Sequence, residues 1–524
     1  MEKIEILVSD IYSLLDKGEH VIAKEKLFSA IENTERDSEV YDYFLATIAG
    51  LLIDLGAESY DEEAAEAGIK ILTEAKESFK SFMTHQSFNY NLGNGMNALY
   101  RIKNKNNRLP TLEIISPNLI QAKNYFFKAF KEIDFKRIDN LDLQILTNLS
   151  NNLSQSGRII ESIRIDNSVL KENENFPQAI IGLAENLDYW IRISFCPRSI
   201  SLYLKVYSLY RSGLSQKVFP PNQTKYYESQ QKKYETLLQE CKFDFSTVEN
   251  ELQKSQREYE LHSGYKKFCI DNFLVLNEHS IFCKCGYSAQ DDLSIIHGGI
   301  YLYGDKVGKL ELLLNRLKSE FPLARELYYE GIFENEKDDD VIYSDLQDNE
   351  VIGKGIEKIR VCFRLCFGIF DKIAHGVCYL FDLPKANREN IYFESFWKSK
   401  KCLERWGKLK DLQNPHLVSL YSIANDFNSQ NGEFHFYKQW RNKIEHNNLI
   451  LVTTKDESDF FQLFEDEEFI TQVAYSFFKE QALHLLQICC AAIFSYAYCA
   501  RTESLINKNE NEESVEVPFI IQPK

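Results

Sequence analysis

The chain has 524 residues, 44% of them hydrophobic and 13% aromatic, and a formal net charge of −17. This length excludes a single minimal core and allows two or three domains, each burying a sizeable one. The charge excludes a uniformly basic nucleic-acid binder, so any phosphate contact needs a local basic patch.

Only 11 prolines and 22 glycines interrupt the chain. Scarce breakers beside abundant Leu, Ile, Glu and Lys predict a mainly all-α protein. Met1–Asp10 (MEKIEILVSD) lacks the basic start and apolar core of a secretory signal. Cys362, Cys366, Cys489, Cys490 and Cys499 lie among apolar residues and read as reduced core thiols, so a cytoplasmic location is expected.

Residues 1–218 repeat. Tetratricopeptide units are helix–turn–helix repeats of about 34 residues with small side chains where the helices touch. Ala23, Leu27 and Ala30 fit the small–x3–large–x2–small pattern of a second helix. Ala122, Phe126 and Ala129 fit it too, as do Gly68, Leu72 and Ala75. Among first helices, Leu149-Ser150 and Leu183-Ala184 lie 34 residues apart, and Leu92-Gly93 is an earlier copy. Plain helical hairpins share the small-residue slots, but the coincidence with the period favours a tetratricopeptide-like array. The polar stretch Lys103–Pro117 reads as an inserted loop. Such arrays present a concave face suited to a protein or peptide segment.

Residues 219–308 read as a connecting region. Gln223–Leu261 predicts one or two long amphipathic helices, and periodicity is poor across Gly264–Tyr303. Cys283 and Cys285 form a Cys-x-Cys with His279 nearby. Zinc sites normally need two ligand pairs at recognised spacing, and with one pair no metal is expected.

Residues 309–506 form the third region. Lys309–Gly331 returns to helix, and Glu334–Glu350 reads as an exposed acidic connection. Gly355–Leu383 is a helical, unusually aromatic run. Gln430–Gly432 breaks the pattern before a helix over Glu433–Asn447. Leu449–Thr454 is β-prone, and Glu468–Ala500 reads as a long closing helix. Its least polar part, Leu485–Ala500, is shorter than the roughly 20 residues a bilayer span needs and carries Gln487 and Ser495. A buried bundle helix is expected there. Residues 507–524 are a polar tail.

Several chemical signals fail. Gly304–Leu310 (GDKVGKL) is one spacer short of a phosphate loop and lacks the Ser or Thr that would hold magnesium. HExxH and GxSxG are absent. The informative segment is Tyr437–Asn448, which contains Arg-x4-His as Arg441-Asn442-Lys443-Ile444-Glu445-His446. Arg257–His262 has the same spacing. The second copy is favoured by the polar Asn442, by its place before the closing helix and by an upstream basic run: Lys398, Lys400, Lys401, Arg405, Lys408 and Lys410.

Metal-free RNA cleavage needs a base for the 2′-hydroxyl, an acid for the leaving oxygen and positive charge at the phosphorus. A histidine titrates near neutrality and serves as base or acid. An arginine presents a charged fork of donors to phosphate oxygens. At about 100° per residue, Arg441 and His446 lie roughly 140° apart, while Asn442 and His446 share a face. Asn442 is therefore expected to orient His446, and Glu445 shares the face of Arg441 as a support or equally a plain helix ion pair. Glu357, Arg364 and Asp371 lie on the earlier helix as candidate supports, with structural packing or dimerisation the favoured reading. Trp397, Trp406 and Trp440 are read as core residues rather than base-stacking platforms.

At this point the chain resembles the HEPN superfamily, whose ribonuclease members carry Arg-x(4–6)-His, commonly with a polar residue after the Arg. The likeness is closest to bacterial proteins with tetratricopeptide repeats ahead of the HEPN domain. It is carried in order by Gln144–Arg158, Tyr265–Asn277, Leu317–Gly331, Ile356–Ala374, Ile391–Trp397 and Arg441–His446. The resemblance implies a C-terminal helical bundle and a metal-independent endoribonuclease leaving a 2′,3′-cyclic phosphate. Arg441, His446 and Asn442 would be catalytic, without a cofactor. Lys398, Lys400, Lys401, Arg405, Lys438 and Lys443 are the candidate RNA contacts. It implies a homodimer through the HEPN domain, with both motifs facing one cleft, in a toxin or anti-phage system gated by a protein ligand at the repeats. The competing expectation is a non-catalytic binding or scaffold protein.

Overall fold

The computed structural model describes residues 2–33, 41–105, 111–112, 117–195, 199–296, 301–302, 306–333, 350–386, 389–428, 430, 432–453, 470–506 and 515–516. They are almost all helix, in two compact units. One comprises residues 1–187 and 206–235, the other residues 188–205 and 236–524. The division therefore falls at different places from the sequence boundaries at 218 and 308.

The first unit is built of helical hairpins. Helices α1 (Glu2–Asp16) and α2 (His20–Asn33) pair, as do α3 (Tyr41–Ser59) and α4 (Glu62–Glu74). After the short α5 (Lys76–Phe79) come α6 (His85–Lys103) with α7 (Asn118–Phe130), and α8 (Asn140–Gln155) with α9 (Ile159–Glu172). Side chains of Asp61, Thr84 and Asp139 cap α4, α6 and α8 by accepting orphan backbone N–H groups. The small-residue slots have a direct cause. A Cβ on Gly93 would lie 2.7 Å from the Phe126 ring, and one on Gly68 would lie 2.6 Å from the Ala49 carbonyl. Phe126 of a second helix thus occupies the space that Gly93 vacates, and Gly68 lets its own helix approach the backbone of the one before. The proposed insertion at Lys103–Pro117 lies largely outside the described residues.

Helices α10 (Pro177–Ile193), α11 (Ile200–Ser215) and α12 (Pro221–Glu240) follow, and the unit division falls inside all three. Then come α13 (Val248–Glu260) and α14 (Gly264–Asp271). The amphipathic run thus forms two helices, parted by a turn with Lys242 at φ +56°.

The second unit centres on α15 (Lys306–Phe333), α16 (Lys354–Leu380) and the closing α20 (Tyr475–Ile506). Helices α17 (Leu403–Asp411), α18 (Pro415–Asp426) and α19 (His435–His446) lie between α16 and α20 in sequence. Helix α20 packs against α15, α16 and α18. It is long and apolar enough to cross a membrane, but 83% of its apolar window is buried within the protein. Leu485, Leu486, Ile488, Ile493 and Tyr498 are all within 1% of full burial. That burial makes α20 core.

Strands are short. β1 (Tyr301–Leu302) pairs antiparallel with β4 (Val515–Glu516), so two residues of the polar tail are ordered in a ribbon. β2 (Asn448–Val452) runs parallel to β3 (Ile470–Ala474). The closing helix therefore starts at Tyr475 rather than Glu468: alternating Ile470, Gln472 and Ala474 with Thr471 and Val473 suits a strand once β2 offers a partner. The acidic connection Glu334–Glu350 lies outside the described residues except for Glu350, which bridges Val452.

Candidate functional site

Helix α19 owes its direction to a tight turn and an aromatic layer. A Cβ on Gly432 would sit 2.3 Å from the Asp426 carbonyl, so only glycine lets the chain leave α18 so closely. Tyr437 and Trp440, one turn apart, are buried against Phe363 of α16 and Phe478 of α20. The Tyr437 hydroxyl donates to Gln481 Oε1 at 2.7 Å and meets His484 Nδ1 at 2.8 Å. Burying two such rings contributes roughly 2–3 kcal/mol each. With that face inward, Arg441, Asn442, Glu445 and His446 are carried on the remaining faces and the last turn.

His446 is the final helical residue. Asn447 caps the helix through its N–H to the Lys443 carbonyl, and the chain then enters β2. The His446 side chain is 70% exposed. Arg441 stacks over the Phe367 ring at 6.0 Å and donates to Asn442 Oδ1 at 3.0 Å. Glu445 Oε2 lies 3.7 Å from Arg441 Nη1 and 3.6 Å from His446 Nε2. One carboxylate oxygen of Glu445 thus lies close to both residues, just beyond hydrogen-bond reach of either. Asn442, expected to orient His446, accepts from Arg441 instead.

Helix α16 lies beneath. Asp371 accepts the Phe393 N–H at 2.8 Å, and so fastens the segment Ile391–Trp397. Burial raises its pKa, while that N–H and the Arg441 charge act against the rise. Glu357 pairs with Arg360, which reaches the Leu449 carbonyl of β2 at 2.7 Å. Arg364 is exposed, with no ion pair among the described residues. Glu357 and Asp371 are thus both bonded within the fold, and Arg441 touches this helix through Phe367.

The basic candidates divide. Lys400 and Lys401 are exposed. Lys438 and Lys398 share Glu394, at 2.5 and 3.8 Å. Lys443 is half-buried on α19. Arg405 is a correction: it is fully buried, with both guanidinium arms on Glu389 at 2.8 Å and its Nε on the Phe396 carbonyl at 2.7 Å. Its donors are spent inside the fold, so no phosphate reaches them. Trp397 and Trp440 are buried, and Trp406 packs on Tyr421. In the other copy of the spacing, Arg257 lies on α13 while His262 falls beyond its end, with Nε2 on the Cys285 carbonyl at 3.2 Å.

A family model described as LA2681-like HEPN matches residues 303–503, a stretch that contains the whole of α16 to α19 and the Arg441–His446 motif. No curated protein and no solved structure matches the chain. The chain is thus an all-α protein whose C-terminal region is similar to HEPN domains, preceded by a helical-repeat-like unit.

Proposed function

We propose that this chain is a metal-independent endoribonuclease acting at Arg441 and His446. One observation carries the reading: Arg441 Nη1 and His446 Nε2 lie 3.7 and 3.6 Å from the same Glu445 oxygen, with the His446 side chain 70% exposed. The imidazole moves protons, and the guanidinium answers the charge that builds on phosphate during attack of the 2′-hydroxyl. Asn442 holds the guanidinium. Lys398, Lys400, Lys401, Lys438 and Lys443 supply the local positive charge that a chain of net −17 needs. One imidazole cannot serve at once as base and acid, so the complete centre draws a second motif from a homodimer through the HEPN-like region.

The repeats would be the regulator. In the first unit a cavity of about 700 Å³ is lined by Tyr12, Asp54, Tyr90, Asn91, Asn94 and Asn148 among others. Asparagine amides offer donors and acceptors to an extended backbone, which suits the tetratricopeptide-like array to a peptide or protein ligand. A cytoplasmic toxin or anti-phage effector fits such an arrangement, since a nuclease needs restraint. The reading is tested by growth and RNA integrity in cells expressing wild type, Arg441→Ala or His446→Ala. Toxicity with RNA cleavage only in the wild type supports it. Equal cleavage by folded His446→Ala removes the assignment.

The net charge and the Glu394 pairing of Lys438 and Lys398 favour a second reading, a non-catalytic scaffold. It predicts no cleavage by wild type under any trigger.

A further inference from the structure

The sequence offered one Cys-x-Cys and a nearby histidine, and from spacing alone no metal was expected. The fold adds the proximity that spacing does not give. The chain makes two successive 3-10 turns, Glu278–Ile281 and Gly286–Ala289, and the bend between them brings three soft donors together. The ligating atoms of His279, Cys283 and Cys285 all lie within 4.8 Å of one another.

The bend is held by its own backbone. Asn277 Oδ1 accepts the His279 N–H at 2.7 Å, and the Cys283 N–H donates to the His279 carbonyl at 3.0 Å. Ser288 donates its N–H and hydroxyl to the Cys285 carbonyl at 3.0 and 2.6 Å. The rings of Phe282 and Tyr287 meet the His279 imidazole edge-on at 4.7 and 5.6 Å, which restricts its rotation. Ser255 Oγ lies 3.3 Å from Cys283 Sγ.

We infer that His279, Cys283 and Cys285 form a binding site for a soft divalent metal ion, zinc above all, which clasps the two turns together. Thiolate and imidazole are the donors zinc prefers, and tetrahedral zinc with bonds of about 2.0–2.3 Å places its ligand atoms about 3.5–3.8 Å apart. Donors already gathered within 4.8 Å close to that spacing by small side-chain rotations. Two thiolates neutralise the ion, so the half-buried site carries no net charge. The neighbouring Lys284 is answered by Asp271 at 2.7 Å. His262 stays on the Cys285 carbonyl, which leaves the fourth position to water. The ion takes no part in the proposed RNA chemistry.

The test uses the full chain purified under reducing conditions without chelators. Metal analysis should find one zinc per chain in wild type and none in Cys283→Ser or Cys285→Ser. Because those variants can misfold, metal-stripped wild type is also titrated with cobalt(II). Tetrahedral ligand-field bands and a sulfur-to-cobalt charge-transfer band at one equivalent support the site. Ser255→Ala should keep the bands and weaken affinity by about tenfold, as for a group that only touches a ligand. Wild type that binds neither ion, that keeps both thiols freely titratable beside excess zinc, or that forms a Cys283–Cys285 disulfide in its native state overturns the inference. So does full zinc in the two serine variants.

Discussion

The chain contains Arg-x4-His twice, and the two copies meet different fates. Arg441 and His446 stay on one helix to its last residue, where the ring is thrown into solvent beside Glu445. Arg257 lies on α13, but that helix stops at Glu260, and His262 turns onto the Cys285 carbonyl. The same spacing thus gives a displayed pair in one place and a fold-holding hydrogen bond in the other. Motif chemistry depends on where the helix ends as much as on which residues it carries.

The sharpest way to break this comparison is to exchange the losses. His446→Ala should lower RNA cleavage by at least about 100-fold, the scale of a lost general acid or base. His262→Ala should leave cleavage within about twofold, on the same scale. Gel assays on one labelled RNA measure both. Loss of cleavage in His262→Ala with His446→Ala unaffected would reverse the assignment.

Next in size is the contrast between two arginines. Arg405 is fully buried on Glu389, so Arg405→Ala strands a carboxylate and should cost about 3–5 kcal/mol of stability. Arg441 is partly exposed, and its Glu445 contact is loose at 3.7 Å. Arg441→Ala should cost less than about 1 kcal/mol while abolishing cleavage. Denaturant titration of both variants separates the roles, and similar stability losses would place Arg441 among structural residues.

Most of the architecture was legible because helices announce themselves through period and small-residue slots. Gly68 and Gly93 sit where backbone and ring approach too closely for a Cβ, so their pattern carried three-dimensional information. The site was legible only as spacing. Nothing local distinguishes Arg405 from the lysines beside it, because its partner Glu389 is 16 residues away and the pairing exists only after folding. The strand at Ile470–Ala474 was hidden for the same reason, since its partner β2 lies beyond an intervening segment. The gathering of His279, Cys283 and Cys285 came from two short turns that spacing rules do not describe.

Two buried titrating groups, one in each unit, respond to pH in opposite senses. Burial lowers His416 from 6.5 to about 4, against its bond to the Ile193 carbonyl and with help from Arg501. The unfolded chain takes the proton first, so this stability is present above pH 6.5 and lost as pH falls towards about 4. Burial raises Asp166 from 3.8 to about 7, against hydrogen bonds from Ser150 and Asn186. The folded chain keeps the proton, so this stability is present below pH 3.8 and lost as pH rises towards about 7. Asp166→Asn should flatten the second slope and leave the first. Denaturation across that range checks both, and an unchanged profile in Asp166→Asn contradicts the account.

The smallest effect concerns the link within the motif. Glu445→Gln should slow cleavage about tenfold, equivalent to about 1.4 kcal/mol, with little change in stability. Faster cleavage would mean that the carboxylate restrains Arg441 instead of setting His446 beside it.

The central claim is that Arg441 and His446 perform the cleavage without metal. The direct measurement is the chemistry of the RNA ends left by purified wild type in excess EDTA, with His446→Ala alongside. The account predicts 5′ fragments ending in 2′,3′-cyclic phosphate from wild type and intact RNA from the variant. Fragments ending in 3′-hydroxyl, or cleavage that stops with chelation of magnesium, would contradict it.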